Sequence, residues 1–151
     1  MSGVYIDTGL FVALAFKDDE HHERARELFY AMIRGDYGRP IITSLPVIVE
    51  TAMFIHRNSR GRNKRAKACK KLSLIFDIIE KYKIDIIYST SYDKFGELIR
   101  KAKELYFERN GQLDFVDAIN VILMQQHNCS KIVSFDNDYD QFTNIGITRI
   151  Y

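Results

Sequence analysis

The sequence predicts an α/β fold in which a mostly parallel sheet of about five strands is covered by helices on both faces. Two observations favour it. Short apolar, β-favouring runs alternate along the chain with longer segments whose apolar residues recur at helical spacing. In addition, no linker, repeat or low-complexity tract divides the 151 residues, so we expect a single domain over residues 1–151. Such alternation is typical of parallel sheets with helical crossovers.

The first strand is predicted in the run Val4-Tyr5-Ile6, which is followed at once by Asp7 and Thr8. Apolar residues at helical spacing begin directly after Thr8, so the strand passes straight into a helix. In α/β sheets, ligands bind just beyond the carboxyl ends of parallel strands. We therefore expect Asp7 at the functional edge of the sheet.

The next elements continue the alternation. A helix with one apolar face is predicted around residues 25–33, and a strand at 41–43. Ser44 is predicted to cap a third helix, with Pro46 in its first turn. This helix carries Glu50 within an otherwise apolar turn.

The second half of the chain supplies the remaining elements. A break is predicted at Asn58-Ser59-Arg60-Gly61, followed by a helix whose apolar residues recur at helical spacing, namely Leu72, Ile75, Phe76 and Ile79. Strands are predicted at 84–88, 131–134 and 145–150, and further helices from about 89–92 to 110 and at Phe115–Gln126. Asp114 precedes the last helix and is predicted to cap it, which leaves Asp117 in the first turn. Asp136 follows the fourth strand and begins a short turn or helical piece.

Residues 57–71, named here the basic segment, carry an unusual charge. The whole chain has a net charge of +2, but this segment holds eight Lys and Arg residues and no acid, so the remainder carries −6. A concentrated positive charge on an acidic body indicates a polyanion bound at one place. The alternative is an ordinary solvated helix face. If the partner is RNA, the candidate phosphate contacts are Arg57, Arg60, Arg62, Lys64 and Arg65.

Other features of the sequence exclude several classes. No apolar run is long enough to span a membrane, and the start of the chain does not resemble a signal peptide. Cys69 and Cys129 show neither metal-ligand nor disulfide-framework spacing, so we expect reduced thiols and a cytoplasmic protein without membrane association. The four His residues lack zinc-ligand spacing, and no glycine-rich phosphate loop is found.

Four acids lie where an isolated carboxylate would be costly. Two follow strands and two lie inside apolar helical turns, namely Asp7, Asp136, Glu50 and Asp117. A buried carboxylate must be paired, hydrogen-bonded or bound to metal, and oxygen-only ligands suit Mg²⁺ or Mn²⁺. Such an ion could support phosphodiester cleavage. Each acid also has a structural interpretation, because Asp7 and Asp117 suit helix N-termini and Glu50 could face solvent. At least one of Asp136, Asp138 and Asp140 is expected to be only a turn former.

Four motifs in order resemble the PIN-domain family of metal-dependent ribonucleases, and together they extend over almost the whole chain. They are Tyr5-Ile6-Asp7-Thr8, Val49-Glu50-Thr51-Ala52, Phe115-Val116-Asp117-Ala118-Ile119 and Val133-Ser134-Phe135-Asp136-Asn137-Asp138-Tyr139. The resemblance implies a three-layer α/β/α sandwich with the first strand central. It also implies that Asp7, Glu50, Asp117 and Asp136 are catalytic and hold one or two Mg²⁺ or Mn²⁺ ions.

The same resemblance implies further roles and partners. Asp138 matches an additional metal-binding acid, while Thr8 and Ser134 match auxiliary hydroxyl positions. The expected activity is endoribonuclease cleavage by the toxin of a VapBC-type toxin–antitoxin pair, which forms homodimers and is blocked by a small antitoxin protein. Two alternatives are a housekeeping RNA-processing nuclease of this fold and a non-catalytic RNA- or protein-binding module.

Overall fold

A computed structural model describes residues 2–88 and 92–151 of the chain. Within these residues five strands form one sheet, namely β1 Val4–Ile6, β2 Ile41–Ser44, β3 Asp85–Ile87, β4 Lys131–Val133 and β5 Thr148–Ile150. Their order is β3-β2-β1-β4-β5, and every neighbouring pair is parallel. The central position of β1 and the parallel sheet confirm the predicted fold class.

Helices flank the sheet and complete the α/β/α sandwich. In the described residues they are α1 Thr8–Ala15, α2 His22–Arg34, α3 Leu45–Asn58, α4 Lys64–Tyr82, α5 Tyr92–Glu108, α6 Phe115–Gln126 and a 3-10 helix, Asn137–Ile145. Helix α1 packs against α2, α3 and α4, whereas α5 packs mainly against α6, and α3 contacts both groups. The predicted start of α5 at residues 89–91 lies outside the described residues. None of the described helices could cross a lipid bilayer.

The strand register brings three strand ends to one edge. Val4 pairs with Ile41 on one side of β1, and Ile6 pairs with Val133 on the other. The backbone N–H of Asp7 then donates to the Val133 carbonyl over 3.2 Å. Residues that follow β1, β2 and β4 therefore meet beyond the carboxyl ends of the central strands, as the doubly wound arrangement requires.

Two predicted helix caps are confirmed. The Ser44 side chain accepts the Val47 N–H over 3.4 Å at the start of α3. Asp114 caps α6, because its Oδ1 accepts the Asp117 N–H over 2.9 Å. These bonds satisfy backbone donors that a helix leaves unpaired in its first turn. Both caps begin helices that carry an acid of the predicted set.

The basic segment contains the predicted break between α3 and α4. Helix α3 ends at Asn58 and α4 begins at Lys64, so the segment comprises the end of one helix, a loop and the start of the next. The apolar pattern of α4 was partly misleading: Ile75 and Ile79 are buried, but Phe76 is 41% exposed. Helix α4 therefore buries a narrower stripe than its sequence predicts.

Candidate active site

Four acidic side chains lie at the edge where the central strands end. Asp7 directly follows β1, and Asp136 lies just beyond β4. Glu50 belongs to α3, which begins where β2 ends, and Asp117 lies in the first turn of α6. Electrostatic repulsion links Asp7 to Glu50 and Asp136, and links Asp117 to Asp7 and Asp136. The structure therefore brings together the four acids that the sequence singles out.

The two predicted hydroxyl residues each hold one of these acids. Ser134 Oγ donates to Oδ2 of Asp7 over 2.7 Å and accepts the Asp136 backbone N–H over 3.0 Å. Thr8 Oγ1 donates to Oε2 of Glu50. Because Thr8 begins α1 and is separated from the central strand only by Asp7, its hydrogen bond ties the Glu50 side chain of α3 to the end of that strand.

The other two acids are also held through one oxygen. The Tyr139 hydroxyl donates to Oδ1 of Asp117 over 2.6 Å, and the Asp138 backbone N–H donates to Oδ1 of Asp136 over 2.9 Å. Within the described residues the second oxygen of each carboxylate has no side-chain donor, although the Thr8 backbone N–H also contributes a hydrogen bond to the Asp7 carboxylate. The site thus offers four carboxylate oxygens on side chains whose orientation is already restrained.

Burial makes negative charge costly at this edge. Asp7 is only 5% exposed and Asp117 only 8%. Burial, reinforced by the neighbouring acids, raises the pKa of Asp7 to about 6 and that of Asp117 to about 8. Burial also raises the pKa of the half-buried Glu50, with a contribution from Asp114. A cation placed here would favour the ionised forms and oppose these shifts.

Basic side chains of the described residues do not neutralise the site. Among the described residues, no Lys or Arg forms an ion pair with any of the four acids. Asp140 shows the contrast, because Arg149 donates to both of its oxygens over 2.8 Å and lowers its pKa. Asp138 resembles Asp7, Glu50 and Asp117 instead, since burial and the charge of Asp136 raise its pKa. Asp140 therefore has a structural role, while Asp138 borders the site.

The donor chemistry fits a hard divalent cation. Carboxylate oxygens are ligands that Mg²⁺ and Mn²⁺ favour. Within residues 2–88 and 92–151, no three Asp, Glu, His or Cys side chains form a group that could hold a metal ion by themselves. Mg²⁺ usually keeps several waters and binds one or two carboxylates directly, so an open set of single oxygens suits a hydrated ion. The residues that could bind such an ion, directly or through its waters, are Asp7, Glu50, Asp117 and Asp136.

Comparisons with known proteins agree with this architecture. The sequence model of the PIN domain matches residues 4–145. The chain belongs to the PIN domain family. Its fold is similar to the crystal structure of Mycobacterium tuberculosis VapC20, described as a sarcin-ricin loop cleaving toxin, with a TM-score of 0.71 and 21% identity over 97% of this chain and 98% of that chain. No curated protein matches it.

The five predicted RNA contacts of this PIN domain are exposed. Arg57 lies in the last turn of α3, Arg60 and Arg62 lie in the loop, and Lys64 and Arg65 begin α4. None of them forms an ion pair within the described part of the chain. Helix α4 also begins without an acid in its first turn and without a side-chain cap, so its positive end carries additional positive charge.

An apolar groove of about 680 Å³ lies beside the acids of this PIN domain. Helices α3, α5 and α6 and strand β3 contribute to its walls, and Glu50 and Arg57 are among its lining residues. Four apolar side chains of α3 that line it are between 42% and 51% exposed, namely Leu45, Val49, Met53 and Phe54. The acid site is therefore continuous with an exposed apolar surface.

Sequence reasoning does not identify every residue at the site. The sequence predicts Asp114 only as a cap, but its charge also raises the pKa values of Glu50, Asp117 and Asp138. Tyr139, which holds Asp117, belongs to one of the four motifs but has no role predicted from it. The sequence does contain one indication of buried polar contacts, because Asn120 lies within an otherwise apolar stretch of α6.

Proposed function

We propose that this PIN domain, as a single nuclease domain over residues 1–151, is a metal-dependent endoribonuclease that hydrolyses RNA phosphodiester bonds. One observation carries the proposal. Four carboxylates from separate parts of the chain meet at one sheet edge, and none is neutralised by a basic residue among those described. The costs of burial and mutual repulsion at such a cluster are most simply offset by a divalent cation. The similar fold of VapC20, a toxin described as sarcin-ricin loop cleaving, supports the same class.

Some side chains of the site would bind the ions, and others would orient the binding carboxylates. Asp7, Glu50, Asp117 and Asp136 would hold one or two ions, with Asp138 beside them. Bound Mg²⁺ or Mn²⁺ supplies Lewis acidity and activates water for attack on phosphorus. Thr8 and Ser134 keep two of the carboxylates in fixed orientations through their hydroxyl hydrogen bonds. Their role would be to present the free oxygens without rearrangement.

The basic segment would bind the RNA backbone. Its exposed cations, which form no ion pairs with the described acids, suit phosphate contacts that supply affinity without sequence preference. The positions involved are Arg57, Arg60, Arg62, Lys64 and Arg65. Arg57 lines the same groove as Glu50. This supports a continuous surface from the basic segment to the acidic site. An RNA strand that contacts this segment would then reach the edge of the sheet.

The proposed biological role is that of a VapBC-type toxin, which forms homodimers and is restrained by an antitoxin protein. The exposed apolar side chains of α3 support a protein partner, since such patches mark interaction surfaces. Both cysteines are unpaired, which supports the cytoplasm as the expected location. The neighbouring genes test this role. A short antitoxin-like reading frame upstream is expected, and its absence would favour RNA processing.

The test of the activity is cleavage of a labelled single-stranded RNA with Mg²⁺, with Mn²⁺ and with EDTA. Wild type should cut only with metal, and Asp117→Asn should lose cleavage. Asp114→Asn is the matched control: it lies one helical turn away, and asparagine caps a helix as well as aspartate does. It should keep cleavage.

Each contrary result has a distinct meaning. Cleavage retained in Asp117→Asn would remove this acid from the site and leave it as a first-turn helix residue. Cleavage lost in Asp114→Asn would add the cap to the ligand set. No cleavage by wild type on several RNAs would contradict the nuclease and favour a binding module of the same fold.

A further inference from the structure

Tyr139 is a buried tyrosine whose hydroxyl contacts a proposed metal ligand. It lies in the 3-10 helix Asn137–Ile145, is 0% exposed, and donates to Oδ1 of Asp117 over 2.6 Å. When Asp117 is ionised, as it would be beside a bound cation, its carboxylate accepts hydrogen bonds and cannot donate them, so the tyrosine then supplies the proton in this contact. A phenylalanine would fill the same apolar space but would leave Asp117 without this donor.

The Tyr139 hydroxyl is itself fixed by a buried network. Asn120 Nδ2 donates to the Tyr139 oxygen over 3.1 Å. The amide oxygen of Asn120 in turn accepts the Tyr5 hydroxyl over 2.7 Å and the Ser44 hydroxyl over 3.3 Å. All four residues are buried, with exposure of 0%. Such a fully satisfied buried network specifies one arrangement of its members.

The network joins the elements that carry the acids. Tyr5 lies in β1, close to Asp7, and Ser44 caps α3, which carries Glu50. Asn120 lies one turn after Asp117 in α6, and Tyr139 follows β4. The orientation of the Asp117 carboxylate is thus set by a scaffold that extends from the central strand.

This restraint acts against local repulsion. Asp117 is 8% exposed, and the charges of Asp7, Asp114 and Asp136 all act on it. Without the Tyr139 bond, its carboxylate could rotate away from the other acids. With Oδ1 occupied, the second oxygen remains for a ligand. A hydrogen bond of this kind to a metal ligand fixes its geometry and its basicity.

We propose that Tyr139 is a positioning residue that holds the Asp117 carboxylate in the orientation in which its second oxygen binds the divalent cation. This inference rests on the proposed function, because it assigns the tyrosine a role toward the same ion. Tyr139 itself would contact neither substrate nor metal, because its buried hydroxyl bonds to Asp117 and Asn120. It acts through Asp117 alone.

The experiment compares Tyr139→Phe with Tyr5→Phe. Both changes remove one hydroxyl from a buried tyrosine of the same network, but only Tyr139 contacts Asp117. Both variants should lower the melting temperature in EDTA. Only Tyr139→Phe should raise the Mn²⁺ concentration needed for half-saturation, by about 10- to 100-fold, the range found when partners of metal ligands are removed. Binding is measured by calorimetry and by the Mn²⁺-induced rise in melting temperature, beside cleavage.

A second comparison isolates the contact with Asp117. In an Asp117→Asn background, adding Tyr139→Phe should not change the Mn²⁺ requirement further, because the positioned carboxylate is already absent. Asn120→Ser gives another route if Tyr139→Phe does not fold, since it removes the donor behind the Tyr139 hydroxyl. It should raise the Mn²⁺ requirement by a smaller factor.

The outcomes separate this inference from the proposed function. If wild type neither binds Mn²⁺ nor cleaves RNA, the proposed function fails. If wild type does both, and Tyr139→Phe requires no more Mn²⁺ than Tyr5→Phe, the positioning role is wrong and the tyrosine is structural only. An additional loss from Tyr139→Phe in the Asp117→Asn background would likewise contradict action through Asp117.

Discussion

The acidic edge of the sheet and the basic segment concentrate opposite charges in opposite ways. At the acidic edge, each of the four carboxylates has an oxygen held by a hydroxyl or a backbone N–H, and Asp7 and Asp117 are almost fully buried. The cations of the basic segment, apart from the half-buried Lys71, are exposed, and none has an ion-pair partner among the described residues. The first region restrains its charges in orientation, whereas the second only concentrates them.

This difference teaches what each region is suited to do. A metal site needs oxygens at defined positions, so hydrogen bonds that hold the ligands increase its affinity. Binding to a flexible polyanion needs positive potential rather than fixed geometry, because phosphate contacts act largely through counterion release. The two regions should therefore respond differently to the loss of a single charge. One residue should matter greatly at the acidic edge, and several are needed in the basic segment.

The largest effect is expected from Asp7→Asn. Cleavage should fall about 100-fold or more, as when a group that stabilises transition-state charge is removed. The melting temperature in EDTA should rise, because the change removes a buried charge that repels Glu50 and Asp136. Single-turnover cleavage and calorimetric melting measure the two effects.

The control for that prediction is Asp140→Asn. This acid lies near the others in sequence but forms an ion pair with Arg149 over 2.8 Å. Its replacement should lower stability slightly and leave cleavage within a few-fold of wild type. A fully active Asp7→Asn protein would contradict the proposed active site.

An intermediate effect is expected when the basic segment is neutralised. Changing Arg60, Arg62, Lys64 and Arg65 together to Gln should weaken RNA binding at low salt and reduce the slope of log affinity against log salt by up to about 3. The rate at saturating RNA should change little, since these residues supply affinity. Filter binding over a series of salt concentrations measures the affinity and its slope.

A matched control uses four cations that are already paired with acids. They are Arg24, Arg26, Arg34 and Arg100. Their joint replacement by Gln removes the same charge from other surfaces and should alter the salt slope much less. Equal losses in the two quadruple variants would show that net charge, not the basic segment, determines RNA affinity.

A smaller effect is expected on stability as a function of pH in EDTA. Asp7 and Asp117 titrate near pH 4 in an unfolded chain but at about 6 and about 8 in the folded protein. Between pH 4 and pH 8 the folded state therefore binds more protons, so the free energy of unfolding falls as pH rises. The slope is at most about 1.4 kcal/mol per pH unit for each proton. Urea unfolding from pH 5 to pH 8 measures it.

Asp117→Asn sharpens this prediction. In this variant the free energy of unfolding should no longer fall above pH 6. That part of the fall comes from Asp117, whose pKa is higher than that of Asp7. Identical pH profiles for the variant and wild type would mean that Asp117 is not perturbed by its surroundings.

Much of the architecture could be predicted because it depends on local chemistry. The caps at Ser44 and Asp114 are short-range signals, and the bounds predicted for Phe115–Gln126 are those observed. The meeting of Asp7 and Asp136 at one edge follows from two short parallel strands that each precede an acid. The spacing of the apolar residues and the positions of the caps and acids in the sequence were sufficient to predict these features.

The rest depends on contacts between residues that are distant in sequence. Tyr5 and Tyr139 look like ordinary core aromatics, and only the fold brings both to the amide of Asn120. The exposure of Phe76 was missed for a related reason, because helical periodicity predicts a face but not how wide a stripe the neighbouring elements cover. Likewise, only the fold shows that Arg149 donates to Asp140, which gives this acid a structural role.

The most direct test of the central claim is diffraction from crystals of this protein grown with Mn²⁺, with the anomalous signal of the ion recorded. We predict one or two anomalous peaks among Asp7, Glu50, Asp117 and Asp136, on the oxygens that Ser134, Thr8, Tyr139 and the Asp138 N–H leave free. The peaks should disappear in Asp7→Asn crystals. Saturating Mn²⁺ without a peak at this edge, or with a peak only elsewhere on the surface, would contradict the claim that these carboxylates form a metal site.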